Sequence, residues 1–291
     1  MSEQVTTARH QQFQAMVRHL LQQQGSRLRG TVEVMTHSGK QAVAVDQVGT
    51  VTAVEKPGRH ADLPVVSVPH ARRWVFPTPF AFRDFVDRTD TLRMLWEPGN
   101  RYARAFAYSL GRAMDQKIIA AATGTSTIGE TGDGTSTEAF DTTNFQVDNS
   151  GSTGMTMDKV KSALEKLMGA NVDVMNEDKY LLVASQQYQN LLSETQVISA
   201  DYMRDYTMES GRLVNVLGFK VIHTEELTLS STTRTCLAYV RTGLHLGIWE
   251  DIRTPIDWIP EKQAWQVAGV GDFGATRLEQ GRVVSIPCTE V

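Results

Sequence analysis

Between Trp96 and Thr123 the chain repeats at helical spacing. Phe106, Leu110, Ala113, Met114, Lys117 and Ala121 fall on one stripe, while Arg101, Arg104, Arg112 and Asp115 lie largely off it. Pro98 suits the first turn, where a missing N–H costs nothing, and Glu97 places negative charge at the positive end of the dipole. Gly124 ends the pattern. The spacing predicts one long helix with a single buried stripe, against which the shorter elements would lean. A core helix of an ordinary α+β enzyme would read the same way.

Around this helix the pattern changes period. Residues 8–24 place Phe13, Met16, Val17, Leu20 and Leu21 on one face among glutamines, an amphipathic helix closed by Gly25 that needs a surface to lie on. From Thr31 to Phe76 the alternation is that of strands. TVEVMT and QAVAVD flank Ser38 and Gly39, VTAVEKPGRHAD turns at Pro57 and Gly58, and VVSVPHARRWVF returns. A two-stranded ribbon cannot cover its own apolar face, so these valines are expected to rest on another surface of the same chain or of a neighbour. Phe80–Met94 carries Asp84, Asp87 and Asp90 three apart on a helical face, interleaved with Arg83, Arg88 and Arg93. With no histidine near, the reading is a salt-bridged connector and no metal site.

Gly124 to Gly154 reads as a long Gly/Ser/Thr-rich loop, functional or mobile, broken by the strand-like NFQVD. Thr156 is placed to cap a helix bearing Val160, Leu164, Leu167 and Met168, with Gly169 beyond its end. KYLLVAS follows as a buried strand, and Ser185 caps a short helix. Residues 199–209 look weakly helical, and VNVLGFKVIHTEEL reads as two strands about Gly218. From Thr233 the chain is strands turning at Gly243, Gly271 and Gly281, expected to close a sheet beside the long helix. The fold class is α+β.

Composition narrows the chemistry. With 291 residues, 41% hydrophobic and 21% charged, the chain can bury a real core. No run approaches the ~20 apolar residues of a membrane span, so a soluble, intracellular product is expected. Two cysteines, Cys236 and Cys288, give no disulfide framework. Residues 1–112 are net basic and the remainder net acidic, and arginines outnumber lysines 20 to 9. Arginine tolerates burial in bidentate interface contacts, which points to head-to-tail contact between copies, with Arg59, Arg72 and Arg73 as the bridging residues. The basic residues form no run, which disfavours a nucleic-acid reader. GTSTIGETGDG lacks the Gly-Lys-Ser/Thr of a phosphate cradle, HExxH, GxSxG and GxGxxG are absent, and the best acid/base pair, His60 and Asp62, sits near a ribbon tip without a nucleophile. These observations point to no catalytic residues, no cofactor and no metal, hence no enzyme.

The segments GSRLRGTV, VEKPGRHADLPVVSVPHARRWV, DRTDTLRMLWEPGNRYARAFAYSLGRAMDQKIIAAATG and NVLGFKVIHTEEL, in that order, resemble the major capsid protein of tailed bacteriophages, most closely of short-tailed phages. The resemblance covers nearly the whole chain. It implies an N-arm (1–30), an extended E-loop (31–77), a P-domain (78–154) with the spine helix over 98–123, an A-domain (155–228) and closing strands (229–291). It further implies self-assembly as pentamers and hexamers into an icosahedral shell around double-stranded DNA. Portal and scaffolding proteins, and in some relatives a cement protein, would be partners, with assembly in the host cytoplasm. Phe13, Leu20, Arg59, His60, Asp62, Arg72 and Arg73 are then the expected contacts between subunits. Lys40 and Lys56 lie in the E-loop, but no cross-link is predicted. An encapsulin-type nanocompartment shares the implied fold, and a soluble hydrolase using the RHAD segment is the alternative from another class.

Overall fold

The computed structural model describes residues 22–56, 58–59, 62–63, 65–87, 98–149, 152–194, 208–209 and 212–290. A 3-10 turn at Arg29–Thr31 leads into β1 (Glu33–Thr36), β2 (Ala42–Val48), β3 (His70–Val75) and β4 (Thr78–Asp87). Helix α1 (Pro98–Thr123) is followed by β5 (Ser126–Ile128), β6 (Thr137–Glu138) and the one-turn helix α2 (Thr142–Phe145). Helix α3 (Met157–Gly169), β7 (Lys179–Val183) and helix α4 (Ser185–Ser193) come next. The rest is strand: β8 (Met208–Glu209), β9 (Arg212–Leu213), β10 (Asn215–Val216), β11 (Phe219–His223), β12 (Leu229–Ser230), β13 (Thr233–Val240), β14 (Leu244–Arg253), β15 (Ile256–Ile259), β16 (Ala264–Arg277) and β17 (Val283–Thr289).

Helix α1 has the bounds its sequence predicts and spans about 39 Å at 1.5 Å per residue. It lies on β14 and β16 of a five-stranded sheet. In that sheet β1 runs parallel to β14, and β16 pairs with β14 and β15 on one side and with β4 on the other. Phe106 meets Phe82 edge-on, with ring centroids 4.8 Å apart, on this sheet face. A second, six-stranded sheet runs β10-β11-β7-β13-β12, with β17 also on β13. Its buried β7 packs with Leu167 and Val160 of α3 into one core that includes Met114, Ile118 and Ala122 of α1. The third sheet, β2-β3-β5-β6, is the ribbon.

Several local readings are corrected. The buried positions of α1 are Leu110, Gly111, Met114, Asp115, Ile118, Ile119 and Ala122, a wider face than one stripe, and Asp115 is fully buried. The helix is covered from two sides, by the sheet and by residues 25–28. Residues 78–87 form a strand, so Asp84 and Asp87 share no helical face, and Asp90 lies outside the described residues. The Gly-rich stretch folds as a β5–β6 hairpin, while NFQVD begins as α2, which Asp141 caps by accepting from the N–H groups of Thr143 and Asn144. Thr156 does cap α3, but the left-handed residue after it is Asn171 (φ 59°). The N-cap of α4 is Ala184, without a side-chain bond, and Ser185 is the first helical residue; its N–H donates to the Glu225 carboxylate (2.8 Å). Gly271 sits inside β16 and makes no turn, and the strands after Thr233 divide between the two larger sheets instead of closing one. The weakly helical reading of 199–209 falls largely outside the described residues; Met208–Glu209 is a strand.

β1 does not hairpin with β2 across Ser38 and Gly39, because His37 and Gly39 are held elsewhere. His37 Nε2 lies 2.9 Å from His245 Nε2, and the Trp249 indole N–H donates to the Gly39 carbonyl (2.8 Å). His245 is buried, and burial together with the neighbouring His37 pushes its pKa down to about 4 from 6.5; burial lowers His37 as well. A histidine with a folded pKa below its unfolded value takes up its proton more readily in the unfolded chain, so its contribution is intact above pH 6.5 and shrinks as the pH falls toward 4. The His245 shift corresponds to about 3 kcal/mol lost over that interval. Denaturant titrations at pH 7 and pH 4.5 should show this fall, and His245→Phe should flatten it; an unchanged pH slope in the variant would refute the assignment.

Candidate subunit interface

The ribbon begins as a tied structure and ends as a free one. β2 and β3 pair from Ala42↔Val75 to Val48↔His70, with a bulge between Val43 and Val45, and the Gly49 N–H donating to the Pro69 carbonyl (2.8 Å) closes the ladder. Beyond it, no strand is formed among the described residues of 50–69. Val51, Val54, Leu63, Val65, Val66 and Val68 are exposed there, Leu63 at 80% and Val65 completely. Fully burying a valine or leucine is worth roughly 1.5–3 kcal/mol relative to leaving it in water, so covering Leu63 and Val65 would be favourable.

The base is fixed by contacts of Arg73, Trp74 and Arg277. Arg73, only 8% exposed, pairs with Glu138 of β6. Trp74 donates its indole N–H to the Gly129 carbonyl (2.7 Å), and a side chain at Gly132, whose φ is +62°, would collide with the Trp74 ring. Arg277, buried at the end of β16, donates to the carbonyls of Ala122 (3.0 Å) and Gly124 (2.7 Å) at the C-terminus of α1, and to Glu138 O (3.3 Å). Burial lowers the Arg277 pKa to about 10, and it stays charged at neutral pH. Glu138 therefore joins the two guanidinium groups, its carboxylate pairing with Arg73 and its backbone carbonyl accepting from Arg277.

A second attachment holds the N-terminal segment. Asp115 accepts from Gln23 Nε2 (2.5 Å), Ser26 Oγ (2.5 Å), Arg27 N (2.9 Å) and Leu28 N (3.2 Å). Arg112 donates to Gln22 Oε1 (2.9 Å) and to the Gln23 carbonyl (3.2 Å). Gly111 makes the approach possible, since a Cβ there would lie 2.6 Å from backbone atoms of Gly25 and Ser26.

Of the expected contact residues, Arg59 and Asp62 are exposed on the free part of the ribbon, while Phe13, Leu20 and His60 lie outside the described residues. Arg72 is half-exposed and paired with Asp46 (2.5 Å) across the ribbon. Arg73 differs from expectation: its charge is spent inside its own chain on Glu138, because β3 turns it toward β6. The basic first third does meet acidic residues from later in the chain, but within one subunit, as in Arg29–Asp251 (2.8 Å) and Arg73–Glu138. Asp115 and Arg277 escaped the sequence reading; a small residue (Gly111) one turn before a helical acid was the available signal for the first.

Chemistry elsewhere is structural. His223 has both ring nitrogens engaged, Nδ1 with Arg27 (3.2 Å) and Nε2 with Glu225 (2.9 Å). A hydrogen bond with Cys288, then burial, pushes the Cys236 thiol well up, the opposite of an activated nucleophile. Lys159 is buried with its ammonium bonded to Asn149 Oδ1, Thr153 O and Pro287 O (2.6–2.8 Å). Among the described residues no three His, Cys, Asp or Glu side chains are placed to hold a metal, and no helix is long and apolar enough to cross a membrane.

Residues 5–290 match the family model described as phage capsid protein. The chain belongs to the phage capsid protein family. No curated protein matches it. The capsid fold is shared with solved structures from Mycobacterium phage Che8 (TM-score 0.71, 15% identity, covering 96% of this chain and 97% of that one) and from the cyanophage P-SCSP1u capsid (0.71, 17%, 99% and 95%). It is shared too with the cyanophage Pam1 capsid (0.71, 13%, 98% and 97%). The resemblance read from the sequence, a tailed-phage major capsid protein of α+β fold, thus holds for the family and the fold.

In this capsid protein the Asp115 latch predicts a specific weakness. Asp115→Ala strands the Arg27 and Leu28 amides, at about 1–3 kcal/mol for each buried group left unpaired. The expected result is a lowered unfolding midpoint and faster amide hydrogen exchange over residues 22–28. An unchanged exchange rate there would show that the acid does not hold the segment.

Proposed function

We propose that this capsid protein assembles as pentamers and hexamers into an icosahedral shell that encloses double-stranded DNA, with residues 49–69 as the arm that each subunit lays on a neighbour. The observation that carries this reading is the row of exposed valines on a segment without strand partners, mounted on a rigidly anchored base. Arg59, His60 and Asp62 near the ribbon tip, with Arg72, are then contacts to another copy, and Phe13 and Leu20 of the N-terminal segment cover a neighbour's surface. The division into N-arm (1–30), E-loop (31–77), P-domain (78–154), A-domain (155–228) and closing strands (229–291) goes with this reading. So do portal and scaffolding proteins, a cement protein, and assembly in the host cytoplasm as shell-building context. The protein acts as a structural unit without catalysis. Likeness to the capsid of the native GTA particle supports the shell.

Replacing residues 49–69 with Gly-Gly joins Val48 to His70, which already face each other in the ladder, and spares the buried base. The shortened chain should melt as the full chain does and yet form no closed particles by electron microscopy. Particles of normal size would remove the arm's role.

The enclosed DNA would be held without being read. Formal net charge is −4, and gripping each phosphate would add about −0.9 to the slope of log K against log salt. Unassembled subunits should show little duplex affinity at physiological salt and no preference among sequences. Tight, sequence-selective binding would contradict the reading.

A further inference from the structure

Two features of the chain fit each other and cannot meet within one copy. The first is the free edge of β1. This strand has a partner on one side only among the described residues, β14, with Glu33↔His245 through Thr36↔Ile248 in parallel register. The His37 N–H donates to the Ile248 carbonyl (2.9 Å), so the backbone groups of Glu33, Met35 and His37 point toward β14, and by alternation those of Val34 and Thr36 point outward. Val34 and Met35 are 37% and 45% exposed, beside a groove of about 540 Å³ lined by Arg29, Ile248, Trp249 and Asp251. An apolar edge strand with outward backbone groups is a template for another strand.

The second is the extended run Val65-Val66-Ser67-Val68, which has no ladder partner among the described residues. Val66 lies nine residues from Val75 at the ribbon base, about 30 Å along an extended chain at 3.3 Å per residue. The β2–β3 ladder holds the run away from that base, whereas β1 joins the base through residues 37–41. Its own β1 is therefore out of reach, and a second copy's is not.

We propose that residues 65–68 of one copy add as a strand to the free edge of β1 in a second copy, pairing with the Val34 and Thr36 backbone and seating a valine in the groove beside Trp249. This strand addition rests on the arm reading above and names where the arm lands. Main-chain pairing supplies the attachment and the alternate side chains fix the register.

Amide hydrogen exchange of the unaltered chain, in closed shells and as unassembled subunits, tests it directly. Exchange over 65–68 and at Val34 and Thr36 should slow together on assembly, by about 100-fold or more. If 65–68 slows while 33–36 exchanges alike in both states, the arm lands elsewhere and this inference is overturned with the arm reading intact. If neither slows, both fall. Met35→Cys with Val66→Cys should, on oxidation of assembled shells, give covalent multimers on non-reducing gels, because Cys236 and Cys288 are buried. Met35→Cys with Val48→Cys, whose partner position lies in the ladder, should not. Equal multimer formation by both pairs would count against the pairing.

Discussion

A long helix leaves its last carbonyl oxygens unpaired, and in this protein they are answered by a buried arginine from the far end of the chain. Arg277 reaches Ala122 and Gly124 from the last turn of β16, so the C-terminus of α1 exists in its present place only once residues 264–277 have paired with β14 and β4. Removing that guanidinium would take this donor from the buried Ala122 carbonyl, at about 1–3 kcal/mol. The same guanidinium donates to the Glu138 backbone carbonyl, and the Glu138 carboxylate pairs with Arg73, so one residue ties the ribbon to the helix end. Burying the Arg73 and Arg277 guanidinium groups is tolerated only where each keeps its partner, which restricts the geometry.

That restriction explains how one chain can carry a stiff base and a loose tip. The Arg73–Glu138 pair, Trp74 lodged against the Gly129–Gly132 turn, and the β2–β3 ladder make the ribbon an extension of the helix and its sheet. Past Gly49 and Pro69 no strand pairs with the backbone among the described residues, and the valines are exposed. In the proposed shell the direction of such an arm is set by its own subunit and its covering by a neighbour. Two turns earlier on α1, Asp115 gathers residues 23–28 and fixes where the N-terminal segment departs. Both attachments leave from one helix, so a shift of that helix moves both.

Much of this was legible in the sequence where one local rule dominates. The bounds of α1, the Thr156 cap and the β10–β11 turn at Gly218 (φ +79°) follow from Pro98, a hydroxyl at the cap and a glycine in the left-handed region. The ribbon's valines were readable as apolar surface in need of a cover. What was not readable depends on distant partners. β1 looks like half of a hairpin until His245 and Trp249 claim His37 and Gly39. Phe80–Met94 shows acid spacing fit for a helix, yet β16 offers a ten-residue ladder for 78–87 and the strand wins. Arg73 looks like an interface cation because sequence cannot show that Glu138 faces it. Asp115 reads as a surface charge because its four donors lie nearly ninety residues away.

The central claim is that residues 49–69 form an arm fastened to its own subunit and covered by another. A reconstruction of the assembled shell by electron cryomicroscopy, resolved well enough to trace the backbone, tests it most directly. The account predicts the base as seen here, with Arg73 on Glu138 and Arg277 on the helix end, and Val51 through Val68 lying on a neighbouring subunit. A shell in which these residues fold back on their own subunit, or stand in solvent with no neighbour against them, would contradict it.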